Sequence, residues 1–215
     1  MVDDPKRLVA EGYDKIARRY LEWCGPSPAR MRYLHKMLEL LPPGSNILEL
    51  GCGAGVPCTR MLAERYHVTG VDSSAAQISL AREHVPGATF FHADMTMLAI
   101  PPEAFDAVVA FYSLIHIPRS EHARLLCRIA SWLRPGGWLL ATMGTENTPG
   151  VIEADWLGAP MYWSSYDAET NRELVRHTGF TPLESEVLTD EEDGEPTPFL
   201  WMLARKGEPP LLRAE

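Results

Sequence analysis

The chain has 215 residues, enough for one domain of ordinary size with a large buried core. Hydrophobic residues make up 46% and charged residues 23%, a composition typical of a soluble globular protein. The formal net charge of −9 argues against a protein that grips nucleic acid through its phosphates, since such proteins usually present a basic surface.

The N-terminal stretch "MVDDPKRLVAEGYDK" lacks the apolar segment of a signal peptide, and no run of about 18 apolar residues follows. We therefore expect a cytoplasmic protein that does not enter a membrane. The spacing of the four cysteines fits neither a zinc site nor an iron–sulfur site, so we expect reduced thiols. They are Cys24, Cys52, Cys58 and Cys127.

The first 43 residues predict a helical cap. Asp4 is a suitable N-cap residue and Pro5 suits the first position of a helix. Apolar residues then recur at helical spacing as far as Trp23, and a second helix is predicted from about residue 28 to 41, before "PPG".

Strand-like and helix-like stretches alternate from about residue 46 to 144. The strands are "NILEL", "HVTGVD", "ATFFHAD", "FDAVVAFYS" and "WLLATMG", and Ser74 with Gln77 forms a capping-box pattern before one of the intervening helices. This alternation predicts an α/β fold with a parallel sheet covered by helices on both faces. We assign residues 44–145 to a cofactor-binding core.

Residues 146–166 form an aromatic-rich insertion, and residues 167–206 predict a helix and a strand hairpin within the same single domain. Asp167 is the expected N-cap of that helix and Gly179 its C-terminal glycine. The acidic run "TDEEDGEPT" is expected to be a solvated loop between "TPLESEVL" and "PFLWMLARK". The residues after 206 are expected to fray.

Polar or glycine features follow four successive predicted strands. Gly51, Gly53 and Gly55 alternate after the first strand, where they allow a close backbone approach to a ligand. Asp72 ends the second strand, at a distance from the glycines suited to a carboxylate that accepts from ribose hydroxyls. Asp94 ends the third strand, and Phe111, Tyr112, Ser113 and His116 end the fourth. Because ligands bind at the carboxyl ends of such sheets, the pattern predicts a nucleoside-containing cofactor.

A dinucleotide is one option for this cofactor, and it would indicate an NAD-dependent oxidoreductase. The dinucleotide fingerprint requires G-x-G-x-x-G. Here the loop reads G-C-G-A-G-V, so that Val56 occupies the position of the third required glycine. This departure counts against the dinucleotide.

Several of these segments resemble class I S-adenosylmethionine-dependent methyltransferases. "ELGCGAG" is similar to the family's first motif, "VTGVDSSAAQISLAREH" to the stretch with the ribose-binding acid, and "FFHADMTML" to the adenine-binding segment. "FDAVVAFYSLIHI" and "LRPGGWLLATM" resemble the fourth and fifth strand regions, and the likeness covers about residues 13–205. It implies a Rossmann-like, doubly wound sheet of seven strands, the last one antiparallel.

The resemblance implies S-adenosylmethionine as cofactor, S-adenosylhomocysteine as product, and methyl transfer to a small-molecule metabolite by in-line displacement. Asp72 would bind the ribose, Asp94 the adenine amino group, and Glu49 would hold the loop and approach the amino group. Cys52 is expected to be a small buried side chain of the loop rather than a nucleophile. The implied cofactor-binding positions are Tyr13, Tyr20, Glu49, Gly51, Cys52, Gly53, Asp72, Ser73, Asp94, Met95 and Phe111.

Two differences from related methyltransferase families narrow the class of methyl acceptor that we expect. Enzymes that methylate base nitrogens or glutamine amides carry an Asn/Asp-Pro-Pro-aromatic motif where this chain has "AFYS". Metal-dependent catechol methyltransferases use several acidic side chains, and Asp94 alone is no such cluster. We expect no nucleic-acid partner and no metal, and the sequence leaves the oligomeric state open.

His116 follows the fourth strand, where the methyl group would lie, and is the candidate general base. Packing beside the cofactor is the alternative role. The candidate substrate-binding residues are Tyr112, His116, Trp156, Tyr162, Trp163 and Tyr166, whose aromatic rings would equally serve to cover the sheet edge. A non-catalytic regulator or scaffold that binds the cofactor is the alternative function.

Overall fold

The computed structural model describes residues 4–25, 27–192 and 195–207. It contains a seven-stranded sheet in the order β3-β2-β1-β4-β5-β9-β8 and a separate two-stranded hairpin, β6–β7. The strands are β1 Asn46–Leu50, β2 His67–Asp72, β3 Thr89–His92, β4 Phe105–Ala110, β5 Leu133–Met143, β6 Thr148–Trp156, β7 Ala159–Ser165, β8 Phe180–Glu192 and β9 Glu195–Lys206.

The sheet is mostly parallel, as the sequence predicts. β1 pairs in parallel with β2 and β4, whereas β9 runs antiparallel to both β5 and β8. The chain order therefore reverses at β1, which has β2 on one side and β4 on the other. A ligand site is expected beyond the carboxyl ends of the strands at such a reversal. The predicted Rossmann-like fold with an antiparallel last strand is confirmed.

Six α-helices are described, and their caps follow from the sequence. They are α1 Pro5–Trp23, α2 Pro28–Leu40, α3 Cys58–Ala63, α4 Ala75–His84, α5 Arg119–Trp132 and α6 Ala168–His177. Asp4 and Asp167 accept hydrogen bonds from backbone N–H groups of their first turns, as predicted. Ser74 also caps α4, but the side-chain amide of Gln77 makes no return bond. The predicted capping box is therefore only half formed.

Helices cover both faces of the sheet because successive strand residues point to opposite sides. Leu48 of β1 belongs to one apolar cluster with α5, whereas the preceding Ile47 belongs to another cluster with α2 and α3. Both residues are fully buried. The two-sided burial explains why β1 and β4 are apolar almost throughout.

The last hairpin differs from the prediction. The acidic run was expected to be a loop, but the β8–β9 ladder continues through it, with Asp190 opposite Thr197 and Glu191 opposite Pro196. Charged residues are accommodated because Glu191 and Glu195 are exposed, while Asp190 accepts from the hydroxyls of Ser27 and Tyr112 at 2.6 Å each. Residues 208–215, expected to fray, lie outside the described residues.

The aromatic-rich insertion folds as the β6–β7 hairpin, which the sequence did not reveal as two strands. α1 packs on β7, and the two share an apolar cluster that includes Ile16 and Met161. A Cβ added at Gly12 would lie 2.9 Å from the carbonyl oxygen of Pro160, so the helix backbone approaches the hairpin closely. This contact holds α1 beside the carboxyl ends of the strands.

Candidate cofactor and acceptor site

The glycine loop after β1 is fixed between the ends of its two neighbouring strands. Gly51 and Gly53 have φ values of +73° and +52°, a region that favours glycine. A Cβ on Gly51 would lie 2.3 Å from the Cβ of Ser113, so no other residue fits there. The Ser113 hydroxyl donates to the carbonyl oxygen of Leu50 at 2.8 Å, which ties the loop to the end of β4.

Asp72 connects the glycine loop to the start of α4. Its two carboxylate oxygens accept from the backbone N–H groups of Gly53 and Ser74, each at 2.9 Å. Burial raises the pKa of this carboxyl, and the two backbone hydrogen bonds oppose the increase. Each oxygen keeps a second lone pair that can accept from a ligand hydroxyl.

Asp94 lies at the end of β3 and is already in contact with α1. Its carboxylate is 3.0 Å from the ammonium of Lys6 and accepts from the backbone N–H of Thr96 at 2.8 Å. Burial alone would raise the pKa of Asp94, but the bonds from Thr96 and Lys6 hold it below its ordinary value. The first helix is thus fastened to the edge of the site by a residue that no local motif marks.

One cavity of about 430 Å³ brings the predicted cofactor residues together. All eleven of the implied cofactor-binding positions line it, and so do Tyr112 and His116. Their roles in binding stay predictions. The structure shows that residues from α1, β1, β2, β3 and the segment after β4 face one volume.

A buried pair of opposite charges lies at one end of this cavity. Glu49 is 3% exposed and accepts a hydrogen bond from the Thr59 hydroxyl, and burial raises its pKa to about 7. Arg30 of α2 is 7% exposed and lines the same cavity. Its charge is close enough to oppose the rise in the Glu49 pKa.

Arg30 and Gln77 have polar atoms that the protein leaves unsatisfied. Within the described part of the chain, Nε of Arg30 and both amide atoms of Gln77 have no hydrogen-bond partner. No described carboxylate lies within ion-pair distance of Arg30, whose guanidinium instead lies 4.6 Å from the ring centroid of Tyr112. Buried polar atoms are costly without partners, so these groups point to a polar ligand. Sequence reasoning missed both residues, because each lies on an ordinary helix.

His116 lies between the first helix and the hairpin. Its Nε2 is 2.9 Å from the hydroxyl of Tyr13, and its Nδ1 is 2.9 Å from the carbonyl oxygen of Tyr162. A carbonyl can only accept, so Nδ1 carries the proton and Nε2 accepts from Tyr13. Burial lowers the pKa of His116 to about 4, which keeps the ring neutral at pH 7.

The predicted aromatic substrate residues do not all lie in one place. Trp156 and Trp163 line a second cavity of about 450 Å³ between the β6–β7 hairpin and the start of β9. Tyr162 contributes its carbonyl oxygen to His116. Tyr166 lies outside the lining of both cavities, beside His122 and under the guanidinium of Arg119.

Residues 4–25, 27–192 and 195–207 contain no group of three His, Cys, Asp or Glu side chains placed to hold a metal ion. None of the helices in these ranges has the length and apolarity needed to span a bilayer.

The fold and the cavity define the protein's class. Residues 47–137 match the family model described as a methyltransferase domain. The glycine loop and the acids after β2 and β3 lie within this range, and β8 and β9 complete the seven-stranded sheet outside it. The chain belongs to the class I S-adenosylmethionine-dependent methyltransferase family.

Two methyltransferases are similar in sequence to parts of the chain. It is 30% identical over 187 residues to phosphoethanolamine N-methyltransferase 1 of Arabidopsis thaliana, a match that covers 83% of this chain and 37% of that protein. It is 39% identical over 120 residues to trans-aconitate 2-methyltransferase of Paracidovorax citrulli strain AAC00-1, covering 53% of this chain and 45% of the relative. The matches thus span less than half the length of either relative.

A solved structure supports the fold. Magnesium protoporphyrin IX methyltransferase from Synechocystis PCC 6803, with bound S-adenosylhomocysteine, superposes with a TM-score of 0.69 at 15% identity. The superposition covers 95% of this chain and 100% of that one.

Proposed function

We propose that this protein transfers a methyl group from S-adenosylmethionine to a small-molecule acceptor by in-line displacement. The observation that carries the proposal is the first cavity. It joins two acids suited to adenosine with the buried charge pair Arg30 and Glu49. The expected arrangement has a helical cap in residues 1–43, a core in 44–145, an acceptor insertion in 146–166 and a C-terminal part in 167–206.

The adenosine half of the cofactor would be held by Asp72 and Asp94. The oxygens of Asp72 are oriented by the glycine loop and by α4, so a ribose would meet a fixed acceptor. Asp94 and Met95 lie at the edge expected for the adenine, where Lys6 also reaches. Each hydrogen bond to a charged group is worth about 1.5–3 kcal/mol.

The amino-acid half of the cofactor is a zwitterion, and the cavity offers a matching pair of charges. Arg30 would pair with the carboxylate through its guanidinium, whose Nε has no partner among the described residues. Glu49 would face the ammonium, whose charge favours the ionised form of this buried carboxyl. This pairing explains why two charged side chains are buried without an ion pair between them.

The acceptor half of the site would be formed by Tyr13 and His116. When bound, S-adenosylmethionine supplies a methyl group on a positively charged sulfur and is already activated for displacement. The protein therefore needs mainly to position the acceptor and, if it is protonated, to take up its proton. The neutral His116 can take a proton at Nε2, directly or through the Tyr13 hydroxyl.

Small-molecule acceptors are supported by the two relatives, whose names denote methylation of phosphoethanolamine and trans-aconitate. The acidic net charge of −9 supports neither a nucleic-acid substrate nor a membrane surface rich in anionic lipid. We further propose that the protein acts in the cytoplasm, which agrees with four cysteines that form no disulfide.

Thermal unfolding tests the cofactor part of this proposal. S-adenosylhomocysteine at about 100 times its Kd should stabilise the protein by about 2.7 kcal/mol, or roughly 5–10 °C. NAD at the same concentration should not. Equal stabilisation by NAD, or none by S-adenosylhomocysteine, would overturn the proposal.

Calorimetry with a truncated ligand tests the role of Arg30. Arg30→Met should weaken S-adenosylhomocysteine at least tenfold, but 5′-methylthioadenosine, which lacks the amino-acid group, less than threefold. Arg30→Lys keeps the charge and should recover part of the loss. If Arg30→Met weakens both ligands equally, Arg30 supports the cavity without binding the carboxylate.

A further inference from the structure

Aromatic side chains lie along the border between the first cavity and the second. The Trp156 ring centroid is 5.8 Å from that of Tyr13 and 5.7 Å from that of Tyr20, two residues that line the first cavity. The Trp163 ring lies 4.6 Å from His116. A ligand in the second cavity would therefore lie directly behind the residues proposed to act on the methyl acceptor.

The tryptophans of the second cavity meet at right angles. Trp156 and Trp163 have centroids 5.2 Å apart and an interplanar angle of 89°, and Trp23 and Trp156 have centroids 5.5 Å apart at 78°. Perpendicular rings form corners in which one bound group can contact more than one ring. Indole faces attract cations more strongly than other aromatic side chains do.

The charge of the second cavity has one sign. Its described lining residues include two carboxylates, Glu146 and Glu153, and no lysine or arginine. Glu153 is held in place by Trp163, whose indole N–H donates to its carboxylate at 3.0 Å. The negative charge thus lies at the aromatic corner, where it would repel an anion and attract a cation.

We propose that the second cavity binds a compound with a flat apolar body and a positive charge. The inference rests on the proposed function in one respect: the bound compound is the methyl acceptor, whose reactive atom meets Tyr13 and His116 at the border between the two cavities. The names of the two relatives denote acceptors with carboxylate or phosphate groups. The described lining of the second cavity has no lysine or arginine to pair with such groups, so an acceptor bound there would lack them.

Aromatic rings that merely cover the edge of the sheet would not discriminate between charges. Three probes with one aromatic body distinguish the two explanations: 2-phenylethylammonium, 2-phenylethanol and phenylacetate. Each is titrated by calorimetry at pH 7.5 into the full chain saturated with S-adenosylhomocysteine. We expect the ammonium to bind at least tenfold more tightly than the alcohol, and phenylacetate to bind most weakly.

Variants locate the effect. Glu153→Gln keeps an acceptor for the Trp163 indole but removes the charge, and should weaken the ammonium at least fivefold while changing the alcohol less than twofold. Trp156→Leu should weaken the ammonium more than the alcohol. The matched control is Asp155→Asn, which removes an equal charge from the same strand outside the cavity lining and should change neither.

The outcomes separate this inference from the proposed function. Failure of S-adenosylhomocysteine to bind, measured first in each sample, overturns the proposed function as well. If S-adenosylhomocysteine binds normally, any of three results overturns the charge selectivity of the second cavity but not the proposed function. These results are that phenylacetate binds as tightly as the ammonium, that none of the probes binds at millimolar concentration, or that Glu153→Gln leaves the preference for the ammonium unchanged.

Discussion

The hydroxyl of Tyr13 lies 2.9 Å from Nε2 of His116, which joins the first helix to the loop after β4. The other ring nitrogen of His116 donates to the carbonyl oxygen of Tyr162 on the hairpin. One imidazole thus connects three segments that are distant in sequence. Because Nδ1 already holds a proton, any proton from an acceptor must reach Nε2, where Tyr13 is the immediate neighbour.

Replacing either member of this pair should slow methyl transfer. With an acceptor in hand, His116→Gln and Tyr13→Phe are each expected to lower kcat by about 10²-fold or more, the usual contribution of a general base. Steady-state kinetics measures kcat, and calorimetry with S-adenosylhomocysteine serves as the control, since His116→Gln should change that affinity less than threefold. Near-normal turnover in His116→Gln would leave His116 a packing residue.

The pH dependence of stability should report the buried neutral state of His116. Its pKa falls from 6.5 in the unfolded chain to about 4 in the folded protein. Its contribution to the free energy of unfolding is therefore full above pH 6.5 and is lost as the pH falls toward 4. The loss should be about 3 kcal/mol. Glu49 makes the stability change with pH in the opposite direction over an overlapping pH range, because folding raises its pKa. The effect of His116 is therefore isolated by comparison with the His116→Gln variant.

Urea unfolding at a series of pH values measures this difference. The free energy of unfolding of the unmodified protein should fall relative to that of His116→Gln between pH 6.5 and pH 4. Parallel curves for the two proteins would contradict a depressed His116 pKa.

Binding of the cofactor should release a proton from Glu49. Burial raises the pKa of this carboxyl to about 7, and an ammonium beside it would lower the pKa again. The affinity for S-adenosylhomocysteine should therefore rise as the pH increases from 6 to 8. Calorimetry in buffers of different ionisation enthalpy should show release of most of one proton at pH 6 and little at pH 8.

The matched variant for this measurement is Glu49→Gln, which cannot ionise and keeps an acceptor for Thr59. It should bind with much smaller proton release at pH 6. Equal release in the two proteins would assign the proton to another group, such as Asp72.

Asp72→Ala should weaken cofactor binding at least tenfold, because a buried charge-assisted hydrogen bond is worth about 1.5–3 kcal/mol. Since Asp72 also holds the glycine loop, a second ligand is needed to isolate the ribose contact. The 2′-deoxyribose analogue of S-adenosylhomocysteine should bind the unmodified protein several-fold more weakly than the parent compound. In Asp72→Ala the two ligands should bind alike, whereas a preserved difference would exclude the ribose role.

The close contact between α1 and the hairpin should make Gly12 intolerant of a side chain. A Cβ there would lie 2.9 Å from a backbone oxygen, so Gly12→Ala requires the helix to move. Overpacking costs about 1–3 kcal/mol and the better helix propensity returns about 1 kcal/mol, so we expect a net loss of about 1 kcal/mol. Gly87→Ala, with open space around its Cβ, is the control and should be neutral in thermal unfolding.

Local sequence patterns determined much of the fold. Asp4, Ser74 and Asp167 cap helices because a capping bond needs only residues of the first turn. The alternation of segments predicted the apolar strands and the parallel sheet, and the resemblance implied its antiparallel last strand. The glycine loop, Asp72 and Asp94 were recognisable as site residues because strand ends in a parallel sheet converge on one edge.

Tertiary structure decided what depends on contacts between distant segments. It placed Arg30 of an ordinary helix in the first cavity with its Nε unsatisfied, and it joined Tyr13 to His116 across 103 positions of the chain. It paired the acidic run into a hairpin and moved Tyr166 away from the aromatic cavity. No local pattern encodes these outcomes, because burial and the direction of a side chain are set by packing between elements rather than by the neighbouring residues.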